Sequence, residues 1–351
     1  MTRVMNHLPF PAHHLILGMK GNYDAASNIS AGVSYEIVDS TGLRRSPCIL
    51  LSLRQLLREL RPNLVLTYNW GAIEAVLAAR LSGLNAVIHN ESGFGADEAV
   101  SLKSRRVWTR RILLRGIHRT IVNSKNLLQI ALQEYKLPPC KVKLIRNGID
   151  VRRFVPGRNM DLRGQLGAGE NTLLYGFVGR HRAEKNLRVL VEAFAAANIE
   201  NAKLVLVGDG PERGAIEAIA TRLLAPDRVI FPGEVDDALP YLQAFDVFVM
   251  SSLTEQTPNA MLEAMSCGLP AISSNVGDVR DILGCDNSLI TMGPNDTGAM
   301  SGAMKAVAAN AELRSELGAR NRTRCAEHYS LNRMVNEFAE CYQQSLDFWQ
   351  P

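Results

Sequence analysis

The sequence predicts an α/β protein made of two doubly wound units with parallel sheets. Three observations predict it. Short apolar runs alternate with segments of helical period along most of the chain. The alternation occurs twice, on either side of a Gly- and Arg-rich stretch from Val151 to Glu170 that has no periodicity. The length of 351 residues, 46% hydrophobic and 21% charged, suits two soluble domains that can each bury a core. The expected domains are 1–155 and 156–330, with 331–351 as a separate C-terminal helix whose return to the first domain stays open.

In the first half, His14 to Met19, Leu64 to Thr67, Ala86 to His89, Thr120 to Asn123 and Val142 to Ile145 read as short buried strands. Ser52 to Leu60, Ala72 to Leu81 and Lys103 to Leu114 have helical period between them. In the second half, the strands are Leu173 to Val178, Lys203 to Val207, Val229 to Phe231, Val247 to Met250, Ala271 to Ser273 and Ser288 to Thr291. The helices are near Asn186 to Ala197, Pro211 to Leu224, Asn259 to Ser266, Thr297 to Ala309, Ala311 to Tyr329 and Leu331 to Phe348. Strand followed by helix, repeated, is the pattern of parallel sheets. Ligands of such sheets sit beyond the carboxyl ends of the strands, so the loops there are the places to look for chemistry, with a cleft between the two domains as the expected site.

Composition narrows the function classes. No run approaches the ~18 apolar residues of a membrane span, and Met1 to Lys20 is broken by His, Pro and Gly, unlike a signal peptide. Cys48, Cys140, Cys267, Cys285, Cys325 and Cys341 form no CxxC, which argues against a zinc site or disulfide scaffold and for a reducing, cytoplasmic setting. The net charge of +4 hides a split: 1–155 holds 22 Lys and Arg against 10 Asp and Glu, and the remainder 17 against 25. Such asymmetry predicts different partners for the two halves.

The second half carries the strongest chemical signal. Gly179-Arg180-His181-Arg182-Ala183-Glu184-Lys185 follows a strand, and a guanidinium with an ammonium can clamp a diphosphate there. A solvated basic loop is the plainer reading. Gly208-Asp209-Gly210-Pro211 ends the next strand, where two glycines allow close approach of a ligand or form an ordinary turn. Glu255 lies after the strand Val247 to Met250, and Thr257-Pro258 opens a helix whose first free N–H groups, around Asn259 and Ala260, suit a phosphate. Glu263, just over one turn inside, can accept hydrogen bonds from a ribose diol. Taken singly, Glu255 reads as a capping acid and Glu263 as a solvated helix residue; jointly with Arg180 and Lys185, in strand order, they make a set.

That set resembles family 4 of the retaining glycosyltransferases, whose fold is GT-B: two Rossmann-like domains with parallel sheets facing across a cleft. Glu255 and Glu263, with seven residues between them, match the family's paired glutamates. Gly179, Arg180 and Lys185 match its G-R-x-x-x-x-K element, Asn147-Gly148-Ile149-Asp150 its N-G-[VI]-D, and Val122-Asn123-Ser124 its V-x-S strand end. The resemblance implies that Arg180 and Lys185 hold the donor diphosphate and stabilise leaving-group charge. It implies that Glu263 binds the ribose, and that Glu255 contacts the donor sugar near the backbone amides around Pro258, those of Thr257, Asn259 and Ala260. Gly179, Gly208, Gly210 and the segment after Phe231 would border the nucleotide. A His at the strand end, here His89, contacts the donor sugar in many relatives; Glu91 is a second candidate in the same loop. Tyr68-Asn69-Trp70-Gly71 would sit on the acceptor side or form a packed aromatic turn.

The reaction implied is metal-independent, hexosyltransferase-type transfer with retention, by front-face attack in which a donor phosphate oxygen helps to deprotonate the acceptor. No cofactor or metal is expected beyond the nucleotide-sugar substrate. The expected partners are a nucleotide sugar and a glycan or polyprenyl-linked acceptor, in surface polysaccharide biosynthesis, and no nucleic acid. Two other readings stand beside it: a GT-B nucleotide-sugar epimerase or hydrolase, and a non-catalytic nucleotide-sugar binding protein. Lys103 to Arg119 carries seven bases and no acid with Trp108, Ile112, Leu113 and Leu114 interleaved, fit for an anionic membrane surface or for a sheet-covering helix with a solvated face. A peripheral position at the inner face of the membrane would follow. The first residues allow two readings. Thr2 to Asn6 ends a first helix, so that the N-terminal domain lacks its first strand and glycine turn; or His14 to Gly21 is itself that strand and turn.

Overall fold

The computed structural model describes residues 1–18, 23–38, 49–94, 98, 101–284 and 291–347. The chain divides into two compact units, Met1–Gly148 with Leu331–Pro351, and Ile149–Ser330.

In the first unit, β1 (His13–Ile16) pairs in parallel with β2 (Ser34–Ile37). A second, four-stranded parallel sheet runs in the order β3 (Val65–Tyr68), β4 (Val87–Glu91), β5 (Arg119–Val122), β6 (Val142–Leu144). Strand alternation sends Val87 and Val122 to one face, where they pack with Val76, Leu114, Leu127 and Tyr135 from the helices Ile73–Leu81, Ser104–Arg115 and Lys125–Gln133 and the turn after the last. Ile88 and Ile121 face the other way, against Val4 of the short helix Thr2–Met5 and Leu331, Val335 and Tyr342 of the helix Leu331–Asp347. Both faces are therefore covered, as a parallel sheet requires. The turn expected at His14 to Gly21 falls partly outside the described residues.

The second unit holds one six-stranded parallel sheet in the order β12-β11-β10-β7-β8-β9. Its strands are β7 (Leu173–Val178), β8 (Ala202–Val207), β9 (Val229–Gly233), β10 (Val247–Met250), β11 (Ala271–Ser274) and β12 (Thr291–Met292). The helices Leu187–Ala197, Arg213–Leu223 and Thr297–Ala309 cover one face and Asn259–Ser266 the other, while Ala311–His328 reaches both, with Leu317 in the core of the first face and Cys325 in that of the second. From β7 the chain winds outward through β8 and β9, then crosses back to β10 on the other side of β7. The switch point of the winding, where loops diverge and a ligand can enter, thus lies between β7 and β10.

Three expectations are corrected. Val151 to Glu170, read as the join between the domains, lies within the second unit: Phe154, Leu166 and Ala168 belong to its core, and Met160–Gln165 is helical, its start capped by Asn159 Oδ1 accepting from Leu162 N at 3.0 Å. Arg163 in that helix is fully buried, donating to Ala244 O at 2.6 Å and to Asp246 Oδ2 at 2.8 Å. β4 runs on past His89 to Glu91, so Asn90 and Glu91 lie in the strand and not in a loop after it. The helix Ser104–Arg115 covers the sheet with Arg110 and Leu114 yet leaves Trp108 58% and Ile112 62% exposed, so it is neither purely a covering helix nor evenly basic outside.

Candidate functional site

Four strand-end loops of the second unit are joined by backbone bonds. After β7, Gly179 N donates to Val207 O at 3.0 Å and His181 N to Asp209 O at 2.8 Å. Gly208 N donates to Gly233 O at 2.8 Å. Gly208 has φ +121°, and a Cβ there would stand 2.1 Å from Gly179 O, so only glycine allows the two loops to meet. Gly210 lies equally close to His181, its virtual Cβ 2.3 Å from that carbonyl oxygen. The glycine pair therefore serves first to seat one strand-end loop on another.

On the other side of the switch point, Leu253 N donates to Glu184 O at 2.8 Å, and the buried Ser251 hydroxyl is shared between the carbonyls of Lys185 and Asn186, 3.0 Å from each. These bonds bring Lys185, after β7, to Glu255, after β10: Nζ and Oε1 form an ion pair. Ser252 Oγ donates to the same Oε1 at 2.8 Å. Arg180 is exposed and makes no ion pair among the described residues, while Gly179 lies half-buried beside it. Pro258 is the N-cap of the helix Asn259–Ser266, with Thr257 before it and Asn259 and Ala260 in the first turn, and Glu263 is half-buried further in. A Cβ on Gly277, after β11, would meet Glu255 O at 1.8 Å, and φ there is +53°. Gly277 and the two serines were not singled out in the sequence, although Ser251-Ser252 stands just before Thr254-Glu255 at a strand end.

Two titratable groups in these strand-end loops are perturbed. Burial holds the His181 imidazole below its ordinary pKa, and neither ring nitrogen has a hydrogen-bond partner among the described residues; the ring packs between Phe177 and Phe231. The Gly210 N–H and the Arg213 guanidinium hold the Asp209 carboxyl below the usual range.

In the first unit, His89 is fully buried, its Nδ1 2.8 Å from Thr67 Oγ1 and its Nε2 3.7 Å from Glu91 Oε2. Glu91 Oε2 accepts from Arg110 Nε at 2.8 Å, and Arg110 also bonds Glu98 at 3.3 Å. Arg106 binds Glu98 at 2.9 Å, and both guanidiniums lie over the Trp70 ring, at 4.8 and 5.1 Å. Two of the bases counted in Lys103 to Arg119 thus point inward. Asn69, at φ 54°, accepts from Ser92 N at 2.8 Å, tying the ends of β3 and β4 together. Among the described residues no three His, Cys, Asp or Glu side chains gather as a metal set would. No helix among them is long and apolar enough to cross a membrane.

Residues 13–153 match the family model described as Glycosyltransferase Family 4, and residues 172–310 that of Glycosyl transferases group 1. The chain belongs to this family. Among its relatives is the UDP-Gal:alpha-D-GlcNAc-diphosphoundecaprenol alpha-1,3-galactosyltransferase of Escherichia coli, 34% identical over 65% of this chain and 61% of that protein. The N-acetyl-alpha-D-glucosaminyl L-malate synthase of Bacillus anthracis is 28% identical over 60% of this chain and 55% of its own length. The chain thus spans less than two thirds of either relative. Among solved structures, HepE of Anabaena in complex with UDP and glucose superposes with a TM-score of 0.79 at 16% identity, covering 97% of this chain and 94% of that one. Sucrose-phosphate synthase of Thermosynechococcus elongatus superposes at 0.75 with 24% identity over 90% and 82%. The family's fold, GT-B with two Rossmann-like units, is the fold of this chain.

Proposed function

We propose that this family member is a retaining glycosyltransferase that moves a hexosyl group from a nucleoside-diphosphate sugar to a glycan or polyprenyl-linked acceptor in surface polysaccharide assembly. The observation that carries the reading is the meeting of Lys185 and Glu255 at the switch point of the second sheet. Breaking the anomeric bond puts positive charge on the sugar and negative charge on the diphosphate, and both must be stabilised. Lys185, the exposed Arg180 and the amides at the start of Asn259–Ser266 would take the diphosphate, which is charge compensation from the chain itself. Glu255 would face the sugar and Glu263 the ribose. Gly179, Gly208 and Gly210 would border the nucleotide. UDP is the first nucleotide to try, because HepE was solved with it.

In the first unit, the acceptor would approach the carboxyl edge of β3 and β4. A sugar contact from His89 would need its Nε2, which has no hydrogen-bond partner among the described residues. The exposed stripe Arg105, Trp108, Ile112, Arg115 would rest on the anionic inner face of a membrane, placing the protein at the cytoplasmic surface.

The deciding experiment is isothermal titration with nucleoside diphosphates. Lys185→Ala and Arg180→Ala are each expected to weaken binding at least about tenfold, as loss of a charge-assisted bond would. Affinity equal to the parent's in both variants would refute the clamp. Transfer from UDP-sugars, with the anomeric configuration of the product read by NMR, tests retention.

A further inference from the structure

Ser252 and Glu255 sit in one short loop, yet only Glu255 has a stated task. Ser252 is fully buried and its hydroxyl donates to Glu255 Oε1 at 2.8 Å, the oxygen that also pairs with Lys185. Ser251, beside it, fastens the carbonyls of Lys185 and Asn186 to the end of β10. The loop therefore grips Lys185 by its backbone and Glu255 by its carboxylate. Resting on the diphosphate-binding role of Lys185, we propose that Ser252 is a positioning residue that couples diphosphate binding to the placement of the Glu255 carboxylate.

The argument is one of competition for a single charge. Lys185 carries one ammonium, and Glu255 occupies it. A diphosphate offers more negative charge and competes for the same Nζ. As the ammonium turns its charge to phosphate, its attraction to Glu255 weakens, and Glu255 is a mostly buried carboxylate that is costly to leave without a donor. The Ser252 hydroxyl is already bonded to that carboxylate and does not depend on Lys185. It keeps Glu255 in place as Lys185 turns to the phosphate. Glu255 thereby stays placed for the sugar after the diphosphate has taken Lys185.

The consequence is opposite in sign for the two residues. Glu255→Gln removes the competitor, so Lys185 is free and a ligand with phosphates but no sugar binds more tightly, by about fivefold. Ser252→Ala leaves Lys185 as the remaining partner of the carboxylate, so the same ligand binds more weakly, again about fivefold. Ser252→Cys keeps the volume with a weaker donor and falls between. In the Glu255→Gln background, Ser252→Ala no longer changes affinity.

The test titrates the full chain with UDP and with inorganic pyrophosphate, in parent, the three single variants and the two double variants that join Glu255→Gln to Ser252→Ala or to Ser252→Cys. Glu255→Gln binding no tighter than the parent overturns the proposal. So does a Ser252 effect that is the same in both backgrounds, since that is what a purely structural serine would give. If Ser252→Ala does not fold, Ser252→Cys in the two backgrounds decides. A Lys185→Ala variant that binds like the parent refutes instead the clamp on which the proposal rests, so the two failures are told apart.

Discussion

Arg110 is almost wholly buried beneath Trp70, Phe94 and Tyr135, with Glu91 and Glu98 as its counter-charges. A buried ion pair adds little over an apolar replacement, but losing one partner strands the other. Arg110→Met leaves two buried carboxylates facing an apolar side chain, and is expected to cost about 3–5 kcal/mol in urea unfolding. The pH dependence has a definite sign. Burial raises the Glu98 pKa, but the bonds from Arg106 and Arg110 outweigh it and leave the carboxyl below its ordinary value. Its stabilising contribution is therefore present above the unfolded-state pKa and lost as pH falls through the lower, folded one. The parent should lose stability between neutral pH and acid partly through this group, and Arg110→Met should show a shallower loss. An unchanged slope would show that Glu98 is not held by Arg110. Nothing in the residue count of Lys103 to Arg119 revealed this, because helical period alone does not say which bases turn inward.

Elements were legible where their residues were apolar and regular. β7 and β10, the helices Asn259–Ser266 and Thr297–Ala309, and the pairing of a buried strand with each donor motif follow from apolar runs with clear ends. β2, Ser34–Ile37, escaped because its side chains are exposed and mixed. Met160–Gln165 escaped because one turn and a half of helix among Gly and Arg has no measurable period, and its buried residue is Arg163, bonded to carbonyls far away in sequence. The spacing of Glu255 and Glu263 was legible, but not what anchors the first of them. Gly277 belongs to that anchoring. It lies after β11 with φ +53°, and a methyl group there would overlap Glu255 O. Gly277→Ala is expected to destabilise by at least about 1–2 kcal/mol from the left-handed backbone alone. It should also lower transfer beyond what the lost folded fraction explains, because relief of the overlap moves the Glu255 loop. Full activity per folded molecule would show that the loop tolerates the shift.

At the scale of the molecule, the charge split persists when counted by compact units instead of by halves. Met1–Gly148 with Leu331–Pro351 holds 21 Lys and Arg against 12 Asp and Glu, +9; Ile149–Ser330 holds 18 against 23, −5. The unit proposed to hold the anionic donor is thus the acidic one, with Lys185 and Arg180 as local exceptions. The basic unit carries the outward pair Trp108 and Ile112 between Arg105 and Arg115, and Arg111 lies 4.5 Å over the Trp108 ring. Two forces would then act on a membrane: long-range attraction from the net charge, and insertion of a small apolar patch. They respond differently to salt. Screening shortens from about 10 Å at 0.1 M to about 3 Å at 1 M, which suppresses the first and leaves the second. Sedimentation with phosphatidylglycerol vesicles should therefore show binding at about 0.1 M salt and partial release at about 1 M. Trp108→Ala with Ile112→Ala should abolish the salt-resistant fraction, while Arg105→Ala with Arg115→Ala should reduce the low-salt fraction. Vesicles of neutral phosphatidylcholine should bind little. Absence of binding to the anionic vesicles at low salt would return both residues to the ordinary exposed surface of a covering helix.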